Sequence, residues 1–411
     1  MKSNGITTSA LNLLRSLDPE RYDVSVILNR TREQAKLANQ ALIPPEVRQF
    51  PRIGGMNGSK LSHVGRKLRQ RRPDPSSGRL PVQDQELWHD EWVRCFGDAR
   101  FDAAIDFSGY SPFWASLILQ SQAPLTAIWL HNDMVAELDR HVSGGRTLRK
   151  GLEGVFVRYR HFDRLVSVSQ QLNVVNSAGL KEFAPADRFC FVHNMVDVPR
   201  ILEASRADVR SLDEYPRDEV TGLPEVPEWA QRLSSGDGTR WFINVARLSE
   251  EKNQQRLLHA FARVHAENPR TGLLIVGHGP LRGHLQREIE RMGLQGAAYL
   301  TGAYSNPLAI MSAADCFVLS SNYEGQPMVL LEAATLGLPI VTVAFGSVRD
   351  SDHGAGMIVT EQSEDALAEG MREALQGRVV RGAFDAQSYM DSVLEEFDTA
   401  IGVPARKGSA A

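Results

Sequence analysis

The feature that most constrains the fold is a regular alternation of short apolar segments with amphipathic segments in the second half of the chain. The apolar segments read "WFINVA", "LLIV", "AAYLTG", "CFVLSS" and "PIVTVAF". Helical periodicity lies between them, most clearly over "NQQRLLHAFARVHAEN" and "LRGHLQREIERMG". Strands that are separated by helices pair in parallel. We therefore predict a parallel α/β sheet for this half.

The first half shows a similar but less regular alternation. Strand candidates are "YDVSVIL", "FDAAIDFS", "LTAIWLH", "RLVSVS" and "DRFCFVHNMVD". An amphipathic helix is predicted from about Thr8 to Leu17, after a glycine turn at Gly5. In a doubly wound fold such a turn connects a first strand to a first helix. Because no strand precedes Gly5, we expect the first strand of this half to be missing, and an upstream extension to increase stability or activity.

Composition marks the boundaries between the predicted domains. Residues 200–240 are rich in Pro, Gly and acidic side chains, which is typical of a linker between domains. We predict an N-terminal domain over 1–200 and a C-terminal domain over 201–383. A final amphipathic helix within 384–411 is expected to pack back on the first domain. Residues 51–86, rich in Gly, Ser, Pro and basic side chains, are predicted to be an insertion or surface loop.

Charge and cysteine content exclude several classes of protein. The chain has 411 residues, a formal net charge of −4 and three scattered cysteines. This charge does not favour nucleic acid as a partner, and the cysteines form neither a disulfide framework nor a zinc motif. No apolar run is long enough to span a bilayer, and no signal peptide is recognisable. We expect a cytoplasmic protein. The basic cluster from Lys60 to Arg72 fits either peripheral contact with an anionic membrane or a solvated loop.

Charged residues and glycines follow the predicted strands of the second half. Arg247 and Lys252 follow "WFINVA", and their side chains suit a diphosphate, although solvated loop residues would look the same. Gly277 and Gly279 follow "LLIV", but "VGHGPLRG" does not match the G-x-G-x-x-G dinucleotide motif. A tight strand-to-helix turn explains these glycines better. In an open α/β sheet, ligands bind at the carboxyl ends of the strands.

Two glutamates bracket Pro327 in "SNYEGQPMVLLEAATLGLPIV". Proline favours the first turn of a helix, so Glu324 should lie in a loop and Glu332 on the helix that follows. A carboxylate within so apolar a segment needs a compensating partner. Vicinal hydroxyls of a ribose or hexose would supply one, because each donates a hydrogen bond to the carboxylate.

Taken together, "ARLSEEKN", "VGHGPL", "SNYEGQPMVLLEAATLGLPIV" and "VHNMVD" resemble the retaining glycosyltransferases of family 4, which have the GT-B fold. This fold consists of two Rossmann-like, doubly wound α/β domains that face each other across a cleft. The resemblance is strong over residues 241–345 and weak over the first half. One departure is Ala246, where the family usually has glycine before the arginine.

The resemblance implies a nucleotide-sugar donor that is bound mainly by the second domain. Arg247 and Lys252 would contact the diphosphate, Glu332 the ribose, and Glu324 the sugar that is transferred. His131, which ends "IWLH", would contact sugar or acceptor, although a lone histidine is more often structural. The other implied donor-binding residues are Gly5, Gly277, Tyr304, Gly325, Gln326, Pro327 and Met328.

The implied activity is the retaining transfer of a sugar to a glycan, lipid-linked or polymer acceptor, as in the synthesis of cell-surface polysaccharide or a teichoic-acid-like polymer. Arg247, Lys252 and a helix amino terminus, rather than a metal, would stabilise the leaving diphosphate. No cofactor is expected. The Asp350–Asp352 D-x-D string is interpreted as a solvated turn. Two alternatives stay open: a catalytically impaired binding protein, and a sugar-nucleotide epimerase of the same fold.

Overall fold

The computed structural model describes residues 5–29, 33–52, 82–142, 146–217, 221–348, 356–378 and 384–404. The chain divides into two compact units. The first contains residues 1–195 and 390–411, and the second contains 196–389. The basic cluster from Lys60 to Arg72 and the Asp350–Asp352 string lie outside the described residues. No helix among the described segments is both long enough and apolar enough to cross a membrane.

The first unit is an α/β layer whose strands form three small sheets. A four-stranded parallel sheet has the order β3-β4-β7-β8, β1 pairs in parallel with β2, and β5 pairs antiparallel with β6. The helices in chain order are α1 (Gly5–Ser16), α2 (Gln34–Ala41), α3 (Val82–Phe96), α4 (Pro112–Ile118), α5 (Arg149–Tyr159) and α6 (Gln170–Gly179). The strands are β1 (Ser25–Leu28), β2 (Arg48–Pro51), β3 (Ala103–Asp106), β4 (Leu125–Leu130), β5 (His141–Val142), β6 (Arg146–Thr147), β7 (Arg164–Ser167) and β8 (Phe189–Phe191).

The C-terminal helix, Ala386–Ile401, is joined to the first unit by contacts of three kinds. The ring of Phe397 lies 6.1 Å from that of Trp129 on β4. The carboxylate of Glu396 lies 3.0 Å from His193 Nδ1. Asp398 is buried and accepts hydrogen bonds from Arg21, at 2.6 Å, and from Tyr22. Apolar packing and paired charges therefore hold the carboxyl half of this helix against the first unit.

The second unit is one six-stranded parallel sheet with the order β11-β10-β9-β12-β13-β14. Its helices are α7 (Val198–Ala204), α8 (Glu228–Ser235), α9 (Gln254–Glu267), α10 (Arg282–Arg291), α11 (Pro307–Ala313), α12 (Met328–Thr335) and α13 (Glu364–Leu375), so that the C-terminal helix is α14. The strands are β9 (Arg240–Val245), β10 (Thr271–Val276), β11 (Ala298–Gly302), β12 (Cys316–Leu319), β13 (Ile340–Val343) and β14 (Met357–Thr360). The strands β10, β12 and β13 are buried along their whole length, which explains their unbroken apolar sequences.

The strand order of the second unit is that of a doubly wound sheet. Numbered from β9, the order reads 3-2-1-4-5-6, in which the direction of winding reverses between β9 and β12. The predicted parallel α/β sheet is therefore confirmed. The strand β14 was not predicted.

Two local predictions in the first half are wrong, the second of them only in part. The first helix spans Gly5–Ser16, so Gly5 is helical and not part of a turn. A Cβ atom at Gly5 would contact nothing within 4 Å, so no close approach requires glycine there. Residues 82–86 of the predicted loop over 51–86 belong instead to α3. Residues 53–81 lie outside the described residues. The helix that contains Trp88 and Trp92 therefore extends into a segment whose polar composition had predicted a loop.

Candidate functional site

The point where the winding of the second sheet reverses is a crevice between β9 and β12. These two strands pair only at Phe242 with Cys316 and at Ile243 with Phe317. Beyond that point the side chain of Asn244 spans the gap, and its Nδ2 donates to Val318 O at 2.7 Å. Ligands of open α/β sheets bind at such a crevice. Its two sides are the loops 246–253 and 320–327, which contain most of the predicted donor-binding residues.

An ion pair joins the two loops at this crevice. Lys252 Nζ lies 2.6 Å from Glu324 Oε1, and Ser321 Oγ donates to the same oxygen at 2.7 Å. The side chains of Lys252 and Glu324 are 22% and 11% exposed, so the pair is mostly shielded from water. An ammonium group has three donors, and only one of them is required for this contact. Lys252 can therefore hold Glu324 and still donate to phosphate oxygens.

Arg247 has a different environment from Lys252. Its side chain is exposed, and within the described part of the chain its guanidinium makes no hydrogen bond or ion pair. Its backbone carbonyl is held by Gln254 Nε2 at 2.8 Å. The backbone is thus fixed while the five guanidinium donors face solvent. This arrangement suits the recognition of an anion from solution.

The glycines after β10 allow two loops to pack backbone against backbone. Gly277 has φ +144°, and a Cβ atom there would lie 2.0 Å from Ala246 O. A Cβ atom at Gly279 would lie 2.3 Å from Leu248 O. Only glycine fits at such distances. The two glycines, which lie between β10 and α10, therefore let the loop that carries Arg247 lie directly on the next loop.

Glu332 lies on α12, as the proline rule predicted, and its carboxylate lies in a strongly desolvating environment. Burial raises the pKa of Glu332 to about 7, although Arg200 on α7 acts in the opposite direction. The side chain keeps some contact with solvent, and among the described residues no protein group donates a hydrogen bond to its carboxylate. A desolvated acceptor without a protein donor can bind a hydroxyl group from a ligand. Arg200 is the compensating charge that the sequence did not reveal.

The remaining residues of the Glu324 loop are mostly buried and provide backbone. Gly325, Gln326, Pro327 and Met328 are all buried, and Pro327 directly precedes the first turn of α12. Gln326 Nε2 donates to Tyr389 Oη at 3.2 Å. Because these side chains face the protein, any contact with a ligand would be made chiefly by backbone groups.

Tyr304 lies in an aromatic cluster rather than standing free. Its ring centroid is 5.9 Å from that of Tyr215 and 5.9 Å from that of Trp229. Its hydroxyl donates to Thr301 O at 3.2 Å. Both partners come from the segment between α7 and β9, so this segment packs on the turn after β11. These contacts of Tyr304 stabilise the turn after β11.

In the first unit, His131 is a buried neutral imidazole. Burial lowers its pKa to about 4, and its Nε2 lies 2.7 Å from Phe107 O. A carbonyl only accepts, so Nε2 carries the proton and Nδ1 is left as an acceptor. Nearby, Asp106 Oδ1 accepts from Ser108 N at 2.9 Å and from Gly109 N at 3.2 Å. Gly109 has φ +68° and packs on Trp129 O, where a Cβ atom would clash.

The structure brings Arg247, Lys252, Gly277 and Glu324 together at one crevice of the second unit. It places Gly5 and His131 in the first unit, each in its own local environment. Sequence reasoning missed Arg200, Asn244, Asn322 and Arg256, all of which act through long-range contacts. The polar residues "SSN" before Tyr323 were the only local signal for any of them.

Residues 225–390 match the family model described as Glycosyl transferases group 1. An uncharacterized glycosyltransferase of Methanocaldococcus jannaschii is 41% identical over 128 residues, which are 31% of this chain and 32% of that protein. The alpha-monoglucosyldiacylglycerol synthase of Streptococcus pneumoniae is 30% identical over 132 residues, which are 32% of this chain and 30% of that protein. The chain thus spans about a third of the length of these relatives.

Similarity to solved structures extends over nearly the whole chain. The crystal structure of Anabaena HepE in complex with UDP and glucose matches with a TM-score of 0.66 and 17% identity. The match covers 97% of this chain and 95% of that one. At this identity the likeness concerns the fold. The chain has the GT-B fold, with a parallel α/β sheet in each of its two units.

Proposed function

We propose that this protein is a retaining glycosyltransferase that moves a sugar from a nucleotide-sugar donor to an acceptor. The observation that carries the proposal is the set of charges at the crevice of the second sheet. An exposed guanidinium and a paired ammonium lie at the end of β9, and a carboxylate from the next loop lies 2.6 Å from that ammonium. The match of residues 225–390 to glycosyltransferases and the GT-B fold support the same function.

The donor would bind with its diphosphate at the loop that follows β9. Arg247 and the two remaining donors of Lys252 would contact phosphate oxygens, and α9 begins two residues after Lys252. Positive groups at this place stabilise the negative charge that grows on the leaving diphosphate. Glu332 would accept from ribose hydroxyls. No metal is required by this scheme.

The transfer step would involve Glu324 and the sugar. Glu324 Oε1 is occupied by Lys252 and Ser321, which fixes the carboxylate and leaves Oε2 for a sugar hydroxyl. The bond between the anomeric carbon and the diphosphate oxygen would break, with the electron pair leaving on that oxygen, while the acceptor oxygen bonds to the same face of the sugar. The proton of the acceptor hydroxyl would pass to the departing diphosphate oxygen. His131, with an unprotonated Nδ1, would accept a hydrogen bond from a sugar or acceptor hydroxyl.

For the acceptor, we propose a glycan, lipid-linked or polymer hydroxyl of the cell envelope. The name of the pneumococcal relative says that it synthesises alpha-monoglucosyldiacylglycerol, a lipid that carries glucose, which supports this class. UDP is the nucleotide that the HepE crystals contain, so a UDP-sugar is our first choice of donor.

A thermal-shift screen with UDP-, GDP-, ADP- and CDP-sugars tests the proposal. A ligand at 100 times its Kd stabilises the folded state by about 2.7 kcal/mol. We expect one nucleotide series to raise the melting temperature of the native chain and to have a much smaller effect on Lys252→Ala. If no series shifts either protein, the nucleotide-sugar proposal is wrong.

Product analysis then separates the proposed reaction from its alternatives. Transfer with retained anomeric configuration, read by NMR of the product, supports a retaining transferase, and an inverted product contradicts it. A free epimerised sugar nucleotide would indicate an epimerase. Binding without any turnover over a panel of glycan and glycolipid acceptors would indicate a binding protein.

A further inference from the structure

Asn322 uses all four of its polar groups in hydrogen bonds, and three of them connect it to residues 250–256. Its backbone N donates to Glu251 O at 2.8 Å, and its Nδ2 donates to Glu250 O at 3.2 Å. Its Oδ1 accepts from Asn253 Nδ2 at 3.0 Å and from Arg256 Nη2 at 2.9 Å. Its carbonyl oxygen accepts from Gln362 Nε2 at 2.8 Å. Four of these five bonds reach residues 250–256, directly around Lys252.

The residues on the other side of Asn322 extend this network. Ser320 Oγ donates to Lys252 O at 2.9 Å, and Arg256 Nη1 donates to Ser320 O at 3.1 Å. Asn253 has left-handed backbone angles of φ 45° and ψ 51°, and its Oδ1 accepts from Arg256 N at the start of α9. An unusual backbone conformation persists only when its surroundings fix it. The contact with Asn322 is one of the bonds that fix it.

We infer that Asn322 is a positioning residue that sets the distance and direction of Lys252 relative to Glu324. Lys252 immediately precedes the left-handed Asn253, and Glu324 follows Asn322 by two residues. Asn322, whose backbone N and side chain both bond to residues 250–256, therefore determines where the ammonium and the carboxylate meet. The inference deepens the proposed function, because it assigns to Asn322 the geometry of the group that would bind the diphosphate.

The chain offers a matched control for this contact. Asp315 joins the same two strands at their amino ends, opposite to the crevice. Its Oδ2 accepts from Trp241 N at 2.8 Å, and its Oδ1 lies 3.3 Å from Arg240 Nε. Asp315→Ala thus also removes a bridge between the β9 and β12 segments, but far from Lys252 along both strands. A general loosening of the sheet would affect both variants in the same way.

The first measurement does not depend on any substrate. Trace acylation of lysines, quantified by mass spectrometry, measures the reactivity of Lys252 Nζ relative to that of the exposed Lys181. We expect Asn322→Ala to raise the relative labelling of Lys252 by about twofold to fivefold, the range expected for the loss of a partly exposed ion pair. Glu324→Gln, which removes the carboxylate, should give a similar rise. Asp315→Ala should leave the ratio unchanged.

The second measurement uses UDP and uridine as probes. Asn322→Ala should weaken UDP binding by about tenfold and leave uridine binding unchanged, because only the diphosphate needs Lys252. Asn322→Asp keeps the Oδ1 acceptor but puts a carboxylate oxygen where Nδ2 donates to Glu250 O, so it should also weaken UDP binding and raise the labelling of Lys252. It also serves as the test variant if Asn322→Ala fails to fold.

The two measurements separate the inference from the proposed function. If UDP does not bind even to the native chain while Lys252 labelling rises in Asn322→Ala, the donor is wrong and the positioning role holds. If labelling stays unchanged in both Asn322 variants, or rises equally in Asp315→Ala, the positioning role is overturned. Equal losses of UDP and uridine affinity would also contradict it.

Discussion

The two units place opposite kinds of chemistry at the carboxyl ends of their strands. In the second unit, Arg247, Lys252 and Glu324 put full charges at one crevice, and one of them is exposed. In the first unit, His131 is held neutral by burial, and burial raises the pKa of Asp106 as well. Neighbouring amides and a hydroxyl satisfy Oδ1 of Asp106.

From this difference we propose that the second unit binds the diphosphate and the first unit contacts the sugar or the acceptor. A diphosphate binds well to positively charged partners. The second unit provides them at the crevice where β9 and β12 no longer pair. A sugar or an acceptor hydroxyl can also bind neutral hydrogen-bonding groups, such as His131 of the first unit. We expect substitutions at the crevice of the second unit to change nucleotide affinity, whereas substitutions in the first unit should not.

The largest expected effect is the loss of diphosphate binding in Arg247→Ala and Lys252→Ala. Removing a charged hydrogen-bond donor should cost about 1.5 to 3 kcal/mol of binding free energy. Calorimetry with UDP and uridine measures the effect, which should appear with UDP alone. Arg291→Ala, which removes an exposed guanidinium paired with Glu288, is the control. Unchanged UDP affinity in both variants would show that Arg247 and Lys252 do not bind the diphosphate.

Glu332→Gln should change how the free energy of unfolding depends on pH. The pKa of Glu332 is about 7 in the folded state, above its ordinary value of 4.5. The folded state therefore holds the proton more tightly, and stability should fall as pH rises from about 5 to 8. The variant should lack this fall, which is on the order of 2 kcal/mol. Urea unfolding at the two pH values measures it.

The same variant should bind the nucleotide more weakly if the carboxylate accepts from ribose. Glu369→Gln, at an exposed position paired with Arg372, controls for the loss of a surface charge. A variant that is more stable at pH 8 and binds UDP as tightly as the native chain would show that Glu332 has no part in the site.

His131→Gln should change the acid side of the stability profile and spare nucleotide affinity. The pKa of His131 falls from 6.5 to about 4 on folding, so the unfolded state takes up a proton first as pH falls. The native chain should lose about 1 kcal/mol between pH 7 and pH 5.5 from this group, and the variant should not. The exposed His89→Gln is the control. Weaker UDP binding in His131→Gln would contradict the division between the units.

The alternation of apolar and amphipathic segments was sufficient to predict the parallel sheet of the second unit. A strand such as Leu273–Val276 is buried on both faces, so its sequence is apolar throughout and easy to recognise. The placement of Glu324 in a loop and Glu332 on a helix also followed from one local rule about proline. Local sequence pattern is therefore informative where a single strand or turn residue is enough to identify the element.

The contacts that complete the site could not be predicted in this way. Arg200 acts on Glu332 from a helix more than a hundred residues earlier in the chain, and Arg256 reaches Asn322 from α9. Such pairs depend on how elements pack, which no periodicity records. The helical start at Gly5 was missed for a related reason, because the glycine is not used for a turn or a close approach.

The central claim is that the crevice between β9 and β12 is where the nucleotide diphosphate binds. Hydrogen–deuterium exchange, measured with and without a saturating concentration of the nucleoside diphosphate that the thermal-shift screen selects, tests it most directly. The account predicts slower exchange in peptides that cover residues 246–256 and 320–328, with no comparable change around residues 104–110 or 128–134. Protection confined to the first unit, or none in either loop at a concentration that calorimetry shows to be saturating, would contradict it.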